Sequence, residues 1–239
     1  MKTVTRLSRL LEREERSCRY CFSSLRARGI VHLLSLGLFQ KSMPLVDFPL
    51  SKELKGIGMS DTGEYPNYLE KKFSYQNTFY HKEPRLDITD ISDREEEKYN
   101  FIISADVFEH LNPPVSKAFV NTKKLLKKDG VLILTVPFLP YGEETIEHFP
   151  DLYDYKILQN KNGKYYLENI TRNNERQIFN DLVFHGGPGS TLEMRLFTKS
   201  SLLKELLNAG FREIQVLEKP IWRFGIYHRE KWSLPILAR

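Results

Sequence analysis

The sequence predicts an α/β fold in which a mostly parallel sheet carries helices on both faces. Its 239 residues are enough to bury one sizeable core. The apolar runs at residues 100–105 and 131–136 are continuous, as in strands that are buried on both faces of a parallel sheet. Between them, residues 115–128 have helical apolar spacing, with a start at Pro113-Pro114 and a stop at Asp129-Gly130. Strand, helix and strand in this order form a right-handed crossover unit.

Three shorter strands and a helical extension are predicted before this unit. Residues 44–48 form the first strand, residues 55–61 the second and residues 86–88 the third. The leucine spacing within residues 1–43 indicates an N-terminal helical cap. We therefore expect a helical extension at 1–43 and one α/β domain at 44–239.

The sequence pattern changes after the fifth predicted strand. Residues 138–197 are rich in aromatic and polar side chains, and Asn162-Gly163 lies between two segments that can pair as a β-hairpin. Because a structureless loop of this length is rare in a compact domain, we expect a structured insertion over the edge of the sheet. A helix at 200–209, a strand at 211–217 and an edge strand within 222–239 complete the predicted order.

The composition indicates which classes of partner the protein binds and in which cell compartment it is found. The formal net charge is +5, but 36 basic residues are interleaved with 31 acidic ones, which favours a solvated mixed surface over a nucleic-acid interface. The arginines of the N-terminal region leave an anionic partner open. The apolar run 30–39 is too short to span a membrane. Two cysteines allow one disulfide at most, so we expect a reducing compartment, the cytoplasm.

Acidic residues follow the predicted strands at positions where α/β sheets bind ligands. In open sheets of this kind, ligands bind outside the carboxyl ends of the strands. Asp61 ends the second predicted strand, Asp87 ends the third, and Asp106 follows the fourth. A carboxylate at the end of a second strand can accept hydrogen bonds from both hydroxyls of a ribose. Each acid can also cap a turn or a helix, so both interpretations stay open.

Two groups of motifs resemble those of class I S-adenosylmethionine-dependent methyltransferases of a type 11-like kind. The first is Phe101-Ile-Ile-Ser-Ala-Asp-Val-Phe-Glu-His-Leu111, followed at the family's distance by Leu125-Leu-Lys-Lys-Asp-Gly130 and Val131-Leu-Ile-Leu-Thr-Val-Pro137. The second comprises Leu196-Phe-Thr and Ala209-Gly-Phe211, which are similar to the last helix and strand of that family. The resemblance implies a Rossmann-like methyltransferase sheet with S-adenosyl-L-methionine as cofactor.

The resemblance also implies roles for individual residues. The methionine moiety would lie at Asp47, Phe48 and Pro49, and Asp61 would bind the ribose. The remaining residues implied are Asp87 and Ile88 beside the adenine, Ala105 and Asp106 bordering the cofactor, and Glu109 and His110 facing the substrate.

The sequence departs from the family at the glycine-rich turn after the first strand. Gly56-Ile-Gly58 looks like a displaced copy of that turn. Placing the motif there leaves too little chain for a second strand before Asp87, so we prefer residues 44–48 as the first strand. Relatives in sugar and surface-polysaccharide pathways are similar in having a non-glycine turn at this point.

The insertion contains a second cluster of polar residues, Glu147, His148, His185 and Glu193. Histidine can take the proton of a hydroxyl acceptor near neutral pH, so these residues are candidate catalytic groups. A structural role for a loop histidine stays open. A metal site built from the two histidines and either glutamate has no recognised ligand spacing, and we predict none. Cys18 and Cys21 have the spacing of half a zinc knuckle without a second pair nearby, so we interpret them as plain thiols or a remnant of a knuckle.

These observations favour methyl transfer to a small polar acceptor, such as a sugar or glycan hydroxyl in polysaccharide biosynthesis. One alternative is a non-catalytic relative that binds a partner or a glycan with its insertion. Another is a nucleotide-sugar oxidoreductase, which needs a phosphate-binding glycine motif and a Tyr-x-x-x-Lys pair that the sequence does not convincingly provide.

Overall fold

The computed structural model describes residues 13–63, 65–92, 94 and 96–239. Its strands are β1 (Ser51–Met59), β2 (Phe73–Thr78), β3 (Tyr99–Ala105), β4 (Leu126–Thr135), β5 (Phe138–Leu139), β6 (Ile146–Glu147), β7 (Asp154–Gln159), β8 (Tyr165–Ile170), β9 (Arg176–Phe179), β10 (Phe184–His185), β11 (Thr191–Leu192), β12 (Arg195–Thr198), β13 (Ile214–Val216) and β14 (Ile236–Ala238). Its α-helices are α1 (Leu25–Phe39), α2 (Tyr65–Lys72), α3 (Ser116–Leu125) and α4 (Lys199–Asn208).

A six-stranded sheet forms the centre of the fold, with the strand order β13-β14-β4-β3-β1-β2. Within this sheet the pairs β1–β2, β1–β3 and β3–β4 are parallel, which confirms the predicted α/β class. Strand β14 is antiparallel to both β4 and β13. The strand expected at the edge of the sheet from residues 222–239 therefore lies inside it, between β4 and β13.

Helices cover both faces of the central sheet. Side chains of α1 and α2 pack in one apolar cluster, and side chains of α3 and α4 pack in another on the opposite face. Gly37 of α1 lies so close to the sheet that a Cβ atom there would be 3.0 Å from a methyl group of Val131. Helix α1 is therefore part of the core, whereas the leucines predicted to form a helix within residues 1–12 lie outside the described residues.

The structure corrects the predicted positions of the first three strands. The segment predicted as the first strand forms a 3-10 helix at Leu45–Asp47, and the segment predicted as the second strand is β1. Strand β2 follows after the short helix α2, so eight helical residues suffice for the crossover. Residues 86–88 form no strand; Phe79 and Arg85 make an isolated parallel bridge instead.

The insertion consists of small sheets that follow the fourth strand of the central sheet. Strands β7, β8 and β9 form an antiparallel sheet, and β7 and β8 are the hairpin around Asn162-Gly163. Strand β12 pairs with β5 and β6, which ties the start and the end of the insertion together. In the described part of the chain, no helix is long and apolar enough to cross a membrane.

Candidate functional site

The order of the parallel strands creates a switch point between β1 and β3. From β1 the chain crosses to β2 on one side, and then to β3 on the other side of β1. In open α/β sheets, ligands bind at the carboxyl ends of the two strands that flank such a point. These ends are Met59 and Ala105, and each is followed closely by one of the predicted acids, Asp61 or Asp106.

Asp61 is buried in the loop after β1, with 6% of its surface exposed. Its Oδ2 accepts a hydrogen bond of 2.5 Å from the Tyr75 hydroxyl, while its main chain exchanges two hydrogen bonds with the Asn77 side chain. Among the described residues, Asp61 Oδ1 has no hydrogen-bond partner. Gly58 has to be glycine, because a Cβ atom there would lie 2.0 Å from the Tyr75 hydroxyl. The Asp61 carboxyl is thus buried at the switch point, with the Tyr65 hydroxyl close to it and Oδ1 without a well-formed hydrogen bond.

Burial raises the pKa of Asp61 to about 7, although the Tyr75 hydrogen bond, the nearby Tyr65 hydroxyl and the charge of Arg26 act in the opposite direction. A buried carboxyl with this pKa is partly protonated near neutral pH. A cationic or hydrogen-bond-donating ligand would stabilise its ionised form.

Asp106 is paired with two arginines from the N-terminal region. Arg13 donates to both carboxylate oxygens at 2.6 and 2.7 Å, and Arg26 donates to Oδ2 at 3.1 Å. The hydroxyl of Thr135, at the end of β4, donates to Oδ1. Burial alone would raise the pKa of Asp106, but the Arg13 hydrogen bonds and both arginine charges lower it. Glu14 also pairs with both arginines, so these cations are neutralised within the chain.

Several residues expected to contact a cofactor lie elsewhere. Asp47, Phe48 and Pro49 precede β1, so the length of this strand separates them from the carboxyl edge, and Phe48 is buried in the core. Asp87 accepts hydrogen bonds from the amide and hydroxyl groups of Thr89, which is the turn-capping alternative. Ile88 packs in the apolar core. Asp61 follows the first strand rather than the second, which corrects the basis of its predicted contact with a ribose.

The cluster predicted in the insertion comes together around Glu193. Its two carboxylate oxygens lie 2.8 Å from Nε2 of His148 and of His185, respectively. Burial alone would raise the pKa of Glu193, but the hydrogen bonds and charges of the two histidines lower it. A carboxylate only accepts hydrogen bonds, so each Nε2 donates; when such a ring is neutral, its Nδ1 keeps the lone pair. Among the described residues, the His148 ring hydrogen-bonds to Glu193 alone, through Nε2, and 27% of this side chain is exposed.

Backbone hydrogen bonds attach this cluster to the turn after β3. The Met194 amide donates to the Glu109 carbonyl, and the His148 amide donates to the Met194 carbonyl. His110 belongs to the same turn, and its ring lies edge-on to that of His185 at 4.7 Å. The histidines of the insertion therefore lie beside the loop that carries Asp106, next to the switch point.

The Arg195 side chain donates hydrogen bonds to the backbone of the same turn. Its side chain is fully buried and donates to the carbonyls of Phe108 and Leu111 at 2.9 and 2.7 Å. It also donates to Glu147 at 2.7 Å. The structure thus pairs Glu147 with Arg195 rather than with the two histidines.

The sequence reasoning missed the partners of the predicted acids. Arg13 and Arg26 are among the N-terminal arginines for which the sequence left an anionic partner open, whereas in the structure both pair with Asp106. Glu109 is fully buried, and burial, followed by the charge of Asp106, raises its pKa well above the usual range. The apolar residues around Glu109 in the sequence could have indicated its burial, and a buried charged residue requires a partner.

Comparison with known proteins gives likenesses to solved structures alone. No model of a protein family matches the chain, and no curated protein shows significant similarity to it. The chain is similar to Burkholderia thailandensis 1,6-didemethyltoxoflavin-N1-methyltransferase, which was solved with 1,6-didemethyltoxoflavin and S-adenosylhomocysteine. The sequence identity is 13% and the TM-score is 0.46, and the match covers 90% of this chain and 77% of that chain. It is also similar to S-adenosylmethionine-dependent methyltransferases from Clostridium acetobutylicum (14% identity, TM-score 0.44, 86% and 94% covered) and Mesorhizobium loti (12% identity, TM-score 0.46, 80% and 93% covered). We base the function on the site itself.

Proposed function

We propose that this protein transfers a methyl group from S-adenosyl-L-methionine to a hydroxyl of a small polar acceptor, such as a sugar or glycan. The observation that supports the proposal most is the attachment of the His148–Glu193–His185 cluster to the turn after β3, beside the switch point at which the Asp61 carboxyl is buried. The proposed cofactor site and a group able to take a proton would thereby be adjacent.

Charge favours this cofactor over a dinucleotide. The arginines Arg13 and Arg26 are matched by Asp106 and Glu14, so the ionised form of Asp61 gives the switch point an excess of negative charge. A pyrophosphate would be repelled there, whereas the ammonium and sulfonium groups of S-adenosyl-L-methionine would be attracted. We propose that Asp61 Oδ1 binds a donor group of this cofactor, and Gly58 leaves room for the Asp61 carboxyl.

His148 is the candidate general base. Glu193 accepts from Nε2, which fixes the ring and leaves Nδ1 to take the proton of the acceptor hydroxyl. When bound, the cofactor supplies an electrophilic methyl group on a positively charged sulfur. His148 would hold the acceptor hydroxyl by a hydrogen bond to Nδ1 and would take its proton during transfer of the methyl group.

A non-catalytic binding protein is the second candidate. The observation that favours it is the occupation of Asp106 by Arg13 and Arg26, which fills part of the carboxyl edge with the protein's own side chains. In that case, S-adenosyl-L-methionine would not bind.

Thermal unfolding with added ligands tests the cofactor. S-adenosylhomocysteine should raise the melting temperature, and NAD should not, because a ligand of the native state stabilises it by mass action. Asp61→Asn should weaken S-adenosylhomocysteine binding about tenfold or more, whereas Asp181→Asn, at a side chain that is 98% exposed, is the matched control. A shift with NAD alone, or equal binding by both variants, would contradict the proposed cofactor site.

Turnover tests the base. With an acceptor found from a panel of monosaccharides and small glycans by release of S-adenosylhomocysteine, His148→Ala should lower kcat about 100-fold. Its affinity for S-adenosylhomocysteine should stay within twofold of that of the unmodified chain. His81→Ala, at an exposed histidine remote in sequence, controls for loss of an imidazole. Unchanged kcat in His148→Ala would remove His148 from the mechanism.

A further inference from the structure

Glu109 has an environment that an ionised carboxyl group does not tolerate alone. Its side chain is fully buried, and neither carboxylate oxygen has a hydrogen-bond partner among the described residues. An unpaired buried carboxylate is costly, so it requires either a proton or a cation.

Two imidazoles lie close to this carboxyl. Glu109, His110 and His185 each offer one ligand atom, and these three atoms lie within 4.8 Å of one another. The separation between Glu109 Oε1 and His110 Nε2 is 3.7 Å. Two tetrahedral ligands bound at about 2.1 Å lie about 3.4 Å apart, so small side-chain movements would bring the three atoms to one metal ion.

The outer hydrogen bonds of both histidines prepare them as ligands. His110 Nδ1 lies 2.8 Å from the Leu192 carbonyl oxygen, so Nδ1 donates and Nε2 keeps its lone pair. His185 donates from Nε2 to Glu193, which leaves Nδ1 as the lone-pair atom. Histidine ligands of metal ions generally donate their other ring N–H to a carbonyl or carboxylate group in this way.

We propose that Glu109, His110 and His185 bind one divalent first-row transition-metal ion of the zinc class. Two imidazoles and one carboxylate favour such an ion over Mg²⁺ or Ca²⁺, which prefer ligand sets of oxygen atoms. Three protein ligands leave a coordination position open, and the exposed fraction of His185, 36%, provides a route of entry. The sequence predicted no metal site, because these ligands come from two segments that are distant in the chain.

Metal titration without a methyl donor tests this site independently of the proposed function. The full chain, stripped with a chelator, is titrated with Zn²⁺ by calorimetry, and with Mg²⁺ as the comparison ion. We expect one Zn²⁺ per chain and much weaker binding of Mg²⁺. The Co²⁺ complex should show the visible absorption of a four-coordinate ion.

Variants separate this site from other candidates. Glu109→Gln and His185→Ala should weaken Zn²⁺ binding about 100-fold or more, and Glu193→Gln should weaken it about 10- to 100-fold through the orientation of His185. His81→Ala should bind normally, and so should Cys18→Ser/Cys21→Ser, in which both free thiols are removed. Circular dichroism of each metal-free variant checks that it is folded.

Three results would overturn the proposal. These are the absence of stoichiometric Zn²⁺ binding, full binding by folded Glu109→Gln and His185→Ala, and loss of binding in Cys18→Ser/Cys21→Ser. Methyl transfer could still take place in each case, so the failure of this site is distinguishable from the failure of the proposed function.

Discussion

Replacement of Asp61 by asparagine should change how the stability of the protein depends on pH. The carboxyl pKa is about 7 in the folded chain, compared with an ordinary value of 3.8, because the group is buried. Each unit is equivalent to about 1.36 kcal/mol, so ionising Asp61 in the folded state costs roughly 4 kcal/mol. Asparagine has a similar shape and does not titrate.

The sign follows from the proton count of the two states. Between pH 3.8 and about 7 the folded state holds a proton on Asp61 that the unfolded state has released, so stability falls as the pH rises through this window. Above about pH 7 both states are ionised and the loss is complete. Relative to the unmodified chain, Asp61→Asn should therefore gain about 2 to 3 kcal/mol between pH 5 and pH 8.

Urea unfolding of both proteins at pH 5, 6, 7 and 8 measures this difference. Any hydrogen bonds that the amide loses or gains change the free energy of unfolding by the same amount at every pH. The test is therefore the change of the free-energy difference with pH, and a constant difference is not informative. Asp181→Asn, at an exposed carboxyl, should show no such trend. If the free-energy difference between Asp61→Asn and the unmodified chain is the same at all four pH values, Asp61 does not titrate as its burial requires.

Two further substitutions test the packing around the site. Gly58→Ala should lower the free energy of unfolding by about 2 to 3 kcal/mol, since the new methyl group would lie 2.0 Å from the Tyr75 hydroxyl. The control Gly63→Ala, where a Cβ meets open space but φ is +86°, should cost about 1 kcal/mol. Equal losses of the two variants in urea unfolding would refute the close contact. Arg195→Met should lower the free energy of unfolding by about 3 kcal/mol or more, because it leaves the Phe108 and Leu111 carbonyls and Glu147 without their donor. A loss below about 1 kcal/mol would refute the role of Arg195 in stabilising the turn after β3.

The central strands could be predicted because their signal is local. The runs that form β3 and β4 are apolar throughout, since both faces of a central parallel strand are buried. The helix between them has an apolar stripe and begins just after two prolines, so its start follows from neighbouring residues. Its end does not, because the helix stops at Leu125 and the predicted stop at Asp129-Gly130 lies within β4.

The first strands could not be located in this way. The first five residues of β1 are exposed or only partly buried, and the strand contains lysines and glycines. Gly56 and Gly58 are tolerated because aromatic and carboxyl side chains occupy the space where their own side chains would lie. The prediction of a first strand at residues 44–48 was therefore wrong. As a consequence, Asp61 was assigned to the end of the second strand, whereas it follows the first.

The sequence by itself determined the α/β class, the central β3–α3–β4 unit and most of the residue types that the site uses. The tertiary structure alone decided which residues meet: Arg13 with Asp106, Glu193 with His148, and Glu109 with His110 and His185. The physical reason is that local patterns report burial and backbone preference, whereas the entropic cost of closing a loop rises only slowly with its length. Residues far apart in the sequence can therefore still contact each other, and the path of the chain across the sheet decides which of them do.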